Sequence, residues 1–151
     1  FGTGFVASEF LLDMTIHGCG ERELLSEWQA DAPSAYFGLS VSGYPNLFFL
    51  LGPNTGLGHN SVLLMMEAQY NYILDYVGWL KEKDVPYLDL KPEVQAAHVQ
   101  QIQADLAQTV WQSGGCASWY QTRTGRNSTL WPGSTAVYHL KTRHVHKEAY
   151  H

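Results

Sequence analysis

The sequence predicts an α/β fold, and three observations carry that expectation. Leu47-Phe48-Phe49-Leu50-Leu51 is short and continuously apolar, the pattern of a strand buried on both faces, as in a parallel sheet. A loop with glycines at 52, 56 and 58 follows at once. Behind it Val62, Met65, Met66, Ile73, Val77 and Leu80 recur at helical spacing, with Glu67, Asn71 and Asp75 elsewhere. Strand, glycine loop and helix in that order put the loop at the strand's carboxyl end, where open α/β sheets bind ligands.

The remaining elements follow from local chemistry. Residues 1–6 read as a strand end running into a glycine turn, and Gly18 and Gly20 around Cys19 mark another turn. Leu24, Leu25 and Trp28 are local packing anchors. Tyr36, Gly38 and Ser40 alternate with Phe37, Leu39 and Val41, which predicts a half-buried strand. Asn60 or Ser61 can cap the long helix, expected over roughly 60–82, because a short side-chain oxygen accepts from an unpaired N–H of the first turn. Lys81 to Asp84 end it near Pro86. A second helix starts at Pro92, with Val94, Ala97, Ile102, Leu106 and Val110 as its apolar stripe and Gly114-Gly115 as its stop. Beyond residue 115 the chain reads as extended strand and loop. No repeat or low-complexity linker appears, so residues 1–151 read as one unit.

Composition narrows the function classes. Hydrophobic residues make up 45% of the 151 and charged residues 15%, so the chain can fold around a core. A net charge of −5 and the lack of a Lys/Arg stripe argue against nucleic acid as a partner. No 18-residue apolar run occurs, so no membrane span is expected. Cys19 and Cys116 form neither a metal pattern nor a disulfide framework, and reduced thiols in a cytoplasmic protein are expected. The opening Phe1-Gly2-Thr3-Gly4-Phe5 lacks an initiator Met and reads as cut from a longer chain.

The chemistry sits in the glycine loop. Gly56 and Gly58 allow close approach of backbone to a ligand. The helix behind them aims free N–H groups and its positive dipole end into the loop. That suits a phosphate or an electron-rich carbonyl. The loop is not a GxGxxG fingerprint, since Ser61 stands in the third-glycine position, and no Gly-Lys-Ser/Thr follows for a P-loop. An ordinary strand-to-helix turn fits the same pattern. His59 could be an acid or base, or a surface group. Trp119 could meet a cofactor, or pack in a core beside Tyr120. His98, His139, His144, His146 and His151 lack a ligand set and read as solvated, with no metal.

Several runs taken together point further. Tyr44-Pro45-Asn46-Leu47-Phe48-Phe49-Leu50-Leu51-Gly52-Pro53-Asn54-Thr55-Gly56-Leu57-Gly58-His59-Asn60-Ser61 resembles the C-terminal flavin segment of class B flavoprotein monooxygenases. These are the Baeyer–Villiger and flavin-containing monooxygenases, and the former look nearer. Phe1-Gly2-Thr3-Gly4-Phe5 resembles the family's Ala-Thr-Gly-Phe/Tyr turn, with Gly2 in place of the usual Ala. Cys116-Ala117-Ser118-Trp119-Tyr120 resembles its Ser-Trp-Tyr segment, and Gly125-Arg126-Asn127 with Leu130-Trp131-Pro132-Gly133 is similar to the tail of many Baeyer–Villiger-like members.

That resemblance implies the C-terminal portion of a Rossmann-like FAD-binding domain, with one buried strand, two helices and an extended tail. It implies FAD and NADPH as cofactors, O2 and a small organic substrate as reactants, and the remainder of a parent polypeptide as partner. The implied reaction inserts one oxygen atom into a ketone or a heteroatom substrate through a C4a-(hydro)peroxyflavin. Thr3, Gly4, Asn54, Thr55, Gly56, Asn60, Ser61, Val62 and Trp119 are the implied cofactor-binding residues, and Leu57, Gly58 and His59 the implied substrate wall. No GxGxxG, FxGxxxHxxxW or family arginine that stabilises the flavin peroxide is present, so the isolated chain is expected to be inactive and the catalytic residue is unassigned. The alternative is a non-catalytic α/β scaffold left over from such a flavoprotein.

Overall fold

The computed structural model describes residues 14–57, 61–113, 120–122 and 124–151. Helix α1 spans Leu24–Ala30, α2 Val62–Lys83, α3 Pro92–Ala107, α4 Val110–Ser113 and α5 Thr135–Lys141, with 3-10 turns at Cys19–Glu21 and Lys147–Ala149.

Each helix has a local cause. Glu23 starts α1 by accepting from the Leu25 and Ser26 amides at 3.0 and 2.7 Å, which satisfies two of the unpaired donors of the first turn. Leu24 and Trp28 then pack with Ala35, Val41 and Tyr44 in a small second core. Asp84 ends α2 in the left-handed region at φ 53, its amide turned back to the Leu80 and Lys81 carbonyls. Pro92 opens α3 in its first turn. Ser134 opens α5, its Oγ accepting from the Val137 amide at 3.3 Å.

The long helix and the start of the second lie where the sequence places them, but the buried faces differ. α2 buries Met65, Ala68, Gln69, Tyr72, Tyr76 and Trp79, while Val62 and Val77 of the expected stripe are exposed. Tyrosines can face inward because their hydroxyls find partners: Tyr76 donates to the Leu88 carbonyl, and Tyr72 meets Tyr150 at 3.2 Å. α3 buries Ile102 and Leu106 but leaves Ala97 exposed, and it stops at Ala107, where the Thr109 hydroxyl bonds the Leu106 carbonyl. Val110 falls in α4, and Gly114-Gly115 lies outside the described residues.

The strands expected at residues 36–41 and 47–51 do not form, and the strand end expected at residues 1–6 lies outside the described residues. Residues 47–51 are half-exposed and pair only through an isolated Ser40–Phe48 bridge. Left-handed residues on either side, Asn46 at φ 64 and Leu51 at φ 56, break the extended path before a ladder can start. Residues 36–41 are a tight buried turn with Phe37 at φ 50 and Gly38 at φ 64, so their alternation marks burial on all sides and not a sheet face. Among the described residues, β pairing is confined to isolated bridges. The tail is not extended either, since Ser134 caps a helix that seats Tyr138 in the core. The last residues return to the middle of the chain through paired Asp89 and His151 backbones, at 3.0 Å in both directions.

The main core joins Tyr36, Phe37 and Leu39 to α2, α3, Leu130, Trp131, Tyr138 and Tyr150. Two histidines that the sequence marks as solvated are half-buried against it. His146 meets the Tyr36 hydroxyl at 2.6 Å, and His98 lies against the Phe37 ring with centroids 4.4 Å apart. His139, His144 and His151 are exposed.

Candidate functional site

The glycine loop is built by its contacts with residues 127–131. The Asn54 amide donates to the Ser128 carbonyl and the Gly56 amide to the Thr129 carbonyl, both at 2.8 Å. The Trp131 amide returns a bond to the Gly56 carbonyl at 2.9 Å, which makes a parallel bridge between Gly56 and Leu130. Asn54 is buried at φ 58, and its Nδ2 donates to the Asn127 and Leu130 carbonyls at 2.8 and 3.0 Å. On the other segment, Asn127 Oδ1 accepts from the Thr129 and Leu130 amides, shaping the turn that receives the loop.

The rest of the loop is pinned as firmly. Thr55 is fully buried, its hydroxyl donating to the Gly52 carbonyl at 2.6 Å. Gln69 of α2 accepts from the Leu51 amide at 2.9 Å. Gly38 backs onto the loop so closely that a Cβ there would stand 2.2 Å from Thr55 Cγ2 and 2.8 Å from the Pro53 carbonyl oxygen. Leu57 packs against the main core. Residues 51–57 of the loop are thus held by three neighbours: the Phe37-Gly38 turn, α2 and residues 127–131.

The residues singled out in the sequence divide accordingly. Asn54 and Thr55 turn their side chains inward and brace the loop, and Gly56 supplies backbone to the bridge. Ser61 takes the N-cap position of α2 with an extended backbone but makes no side-chain capping bond, and Val62 begins the helix exposed. Thr3, Gly4, Gly58, His59, Asn60 and Trp119 lie outside the described residues.

Sequence alone does not reveal what residues 127–129 carry. Asn127 Nδ2, Ser128 Oγ and Thr129 Oγ1 are buried and have no hydrogen-bond partner among the described residues. Three adjacent polar groups withdrawn from water without partners cost stability unless something else bonds them. They adjoin the glycine loop, since Thr129 Cγ2 would lie 3.3 Å from a Cβ on Gly56. The sequence reads this stretch as strand and loop within a tail motif, and only its docking with the loop reveals the orphaned atoms. The site therefore combines a fixed glycine loop, the start of α2 without an acidic residue in its first turn, and hydrogen-bonding capacity still to be used.

No family model matches the chain. It is 44% identical to a Baeyer–Villiger monooxygenase of Pseudomonas aeruginosa, over 100% of this chain and 29% of that protein. Its sequence relatives are class B flavoprotein monooxygenases. An FAD-binding monooxygenase of Aspergillus niger is 40% identical over 95% of this chain and 24% of its own length. Among solved structures, OTEMO in complex with FAD and NADP matches 93% of the segment with a TM-score of 0.79 and 25% identity, over 26% of that chain. An oxidised steroid monooxygenase bound to NADP matches 85%, with a TM-score of 0.72 and 26% identity, over 23% of its length. The segment spans less than a third of the curated relatives it matches.

Proposed function

We propose that this segment forms the flavin-facing wall of an FAD- and NADPH-dependent monooxygenase, as the C-terminal portion of its FAD-binding domain. The observation that carries the reading is the docking of residues 52–57 onto residues 127–131. Two motifs far apart in sequence meet there, and Asn127, Ser128 and Thr129, whose carbonyls make the contact, carry buried polar atoms without a partner among the described residues.

Bound FAD, reduced by NADPH, would supply the chemistry that passes one oxygen atom from O2 to a ketone or heteroatom of a small organic substrate. The chain's own residues position and exclude. The backbone around Asn60, Ser61 and Val62 would hold the ring, the start of α2 offering the unpaired N–H groups and positive dipole end of a helix N-terminus. Leu57, Gly58 and His59 would serve the substrate, Trp119 would serve NADPH, and Thr3 and Gly4 would serve the turn between the two cofactor regions. The remainder of a cytoplasmic parent polypeptide supplies both nucleotide fingerprints and the catalytic arginine. An exposed apolar stripe on α2, Leu63, Tyr70, Leu74 and Val77, fits docking against that remainder. No observation favours a non-catalytic scaffold.

The test is flavin titration of the full-length enzyme bearing Gly56→Val. A Cβ at Gly56 would come within 2.8 Å of the Thr129 carbonyl oxygen and separate loop from turn. FAD affinity should fall at least about tenfold, the scale of a lost, well-made hydrogen bond. Unchanged affinity and turnover would remove the loop from the cofactor site.

A further inference from the structure

The Phe37 peptide is gripped from both sides by side chains of other elements. Its N–H donates to His98 Nε2 of α3 at 3.1 Å, and its carbonyl accepts from the Tyr138 hydroxyl of α5 at 2.6 Å. The turn's own bonds, Tyr36 to Ser40 and Leu39 to Tyr36, leave the Phe37 amide pointing outward from a left-handed residue at φ 50. The next residue, Gly38, is the one pressed against Gly52, Pro53 and Thr55 of the glycine loop. We propose that His98 is a positioning residue for that loop, acting through the Phe37-Gly38 turn. The proposal rests on the flavin-facing reading for its functional consequence, though not for its structural content.

A histidine does this job in one protonation state. To accept from Phe37, Nε2 must carry a lone pair, so the proton sits on Nδ1 and the ring is neutral. Burial holds it neutral, with the cationic Lys141 and the neighbouring His146 acting in the same direction, and its pKa is pushed down to about 4. The Tyr36 and Phe37 rings flank it, with centroids 5.0 and 4.4 Å away. Protonation would set two donors face to face and release the turn. Glutamine can replace the acceptor with its amide oxygen, whereas phenylalanine fills the space and accepts nothing.

The test is amide hydrogen exchange of the full-length protein without added cofactor, for wild type, His98→Gln and His98→Phe, with FAD affinity measured in parallel. Exchange at Phe37, Asn54 and Gly56 should rise about tenfold in His98→Phe, the scale of one lost hydrogen bond, and return towards wild type in His98→Gln. The Tyr72–Trp79 amides of α2 should remain protected throughout. In wild type the same loop amides should lose protection as pH falls from the ordinary histidine value of 6.5 towards 4, and His98→Gln should not show that loss. Unchanged loop exchange in His98→Phe, or an identical pH response in His98→Gln, overturns the positioning role. If His98→Phe fails to fold, the pH comparison of wild type with His98→Gln still decides. Loop loosening with undiminished FAD affinity would leave His98 as the positioning residue and overturn the flavin-facing reading alone.

Discussion

Asn54 and Asn127 lock the glycine loop to the segment that receives it. Asn54 Nδ2 donates to the Asn127 carbonyl at 2.8 Å, while Asn127 Oδ1 caps the turn that presents this carbonyl together with that of Leu130. Gln103 of α3 donates to the same Asn127 carbonyl at 2.8 Å. A single residue at φ 58 therefore supplies both the bend of the loop and two of its bonds.

Separate substitutions divide those two roles. Asn54→Gly keeps the left-handed bend and loses both side-chain bonds, while Asn54→Ala loses the bonds and adds left-handed strain. We expect Asn54→Gly to cost about 1–3 kcal/mol, and Asn54→Ala about 1 kcal/mol more. Chemical denaturation of the three proteins measures both differences. Equal stability of all three would mean that the bonds carry no weight.

Two glycines in the chain should respond oppositely. Gly38→Ala places a Cβ 2.2 Å from Thr55 Cγ2 at φ 64, so it should destabilise by about 1–3 kcal/mol. Gly78 lies within α2 with nothing within 4 Å of its Cβ position, and Gly78→Ala should stabilise by about 0.5–1 kcal/mol. Thermal denaturation reads both changes. A tolerated Gly38→Ala would show that the turn does not brace the loop.

Acid sensitivity follows from His98. The unfolded chain takes up a proton near the ordinary value of 6.5 and the folded chain only near 4. Between those values the unfolded state holds more protons, so stability is full above pH 6.5 and falls as pH drops towards 4. The loss approaches about 3 kcal/mol at the acid end, since each tenfold difference in proton affinity is worth about 1.4 kcal/mol. Urea denaturation at a series of pH values should show this slope in wild type and a shallower one in His98→Gln. Parallel curves would mean that His98 does not titrate in this range.

The parts of the fold legible in the sequence are those set by local chemistry. Pro92 places the start of α3, and the charged run from Lys81 to Asp84 places the end of α2. The illegible parts depend on partners distant in sequence. Leu47 to Leu51 looks like a strand, yet left-handed Asn46 and Leu51 and the bond from Leu51 to Gln69 give it another shape. His98 and His146 look solvated until Phe37 and Tyr36, some 61 and 110 residues away, arrive as partners. The glycine loop is evident in the sequence, but its counterpart at Asn127 to Thr129 is visible there only as a motif. What it does for the loop emerges when the two dock.

The most direct measurement is hydrogen exchange of the full-length enzyme, stripped of flavin, before and after FAD is added. Protection should increase together at residues 54–57 and 127–131, with α1 and the Lys147–Ala149 turn unchanged. FAD binding that leaves both segments at their flavin-free exchange rates would contradict the placement of the flavin against this wall.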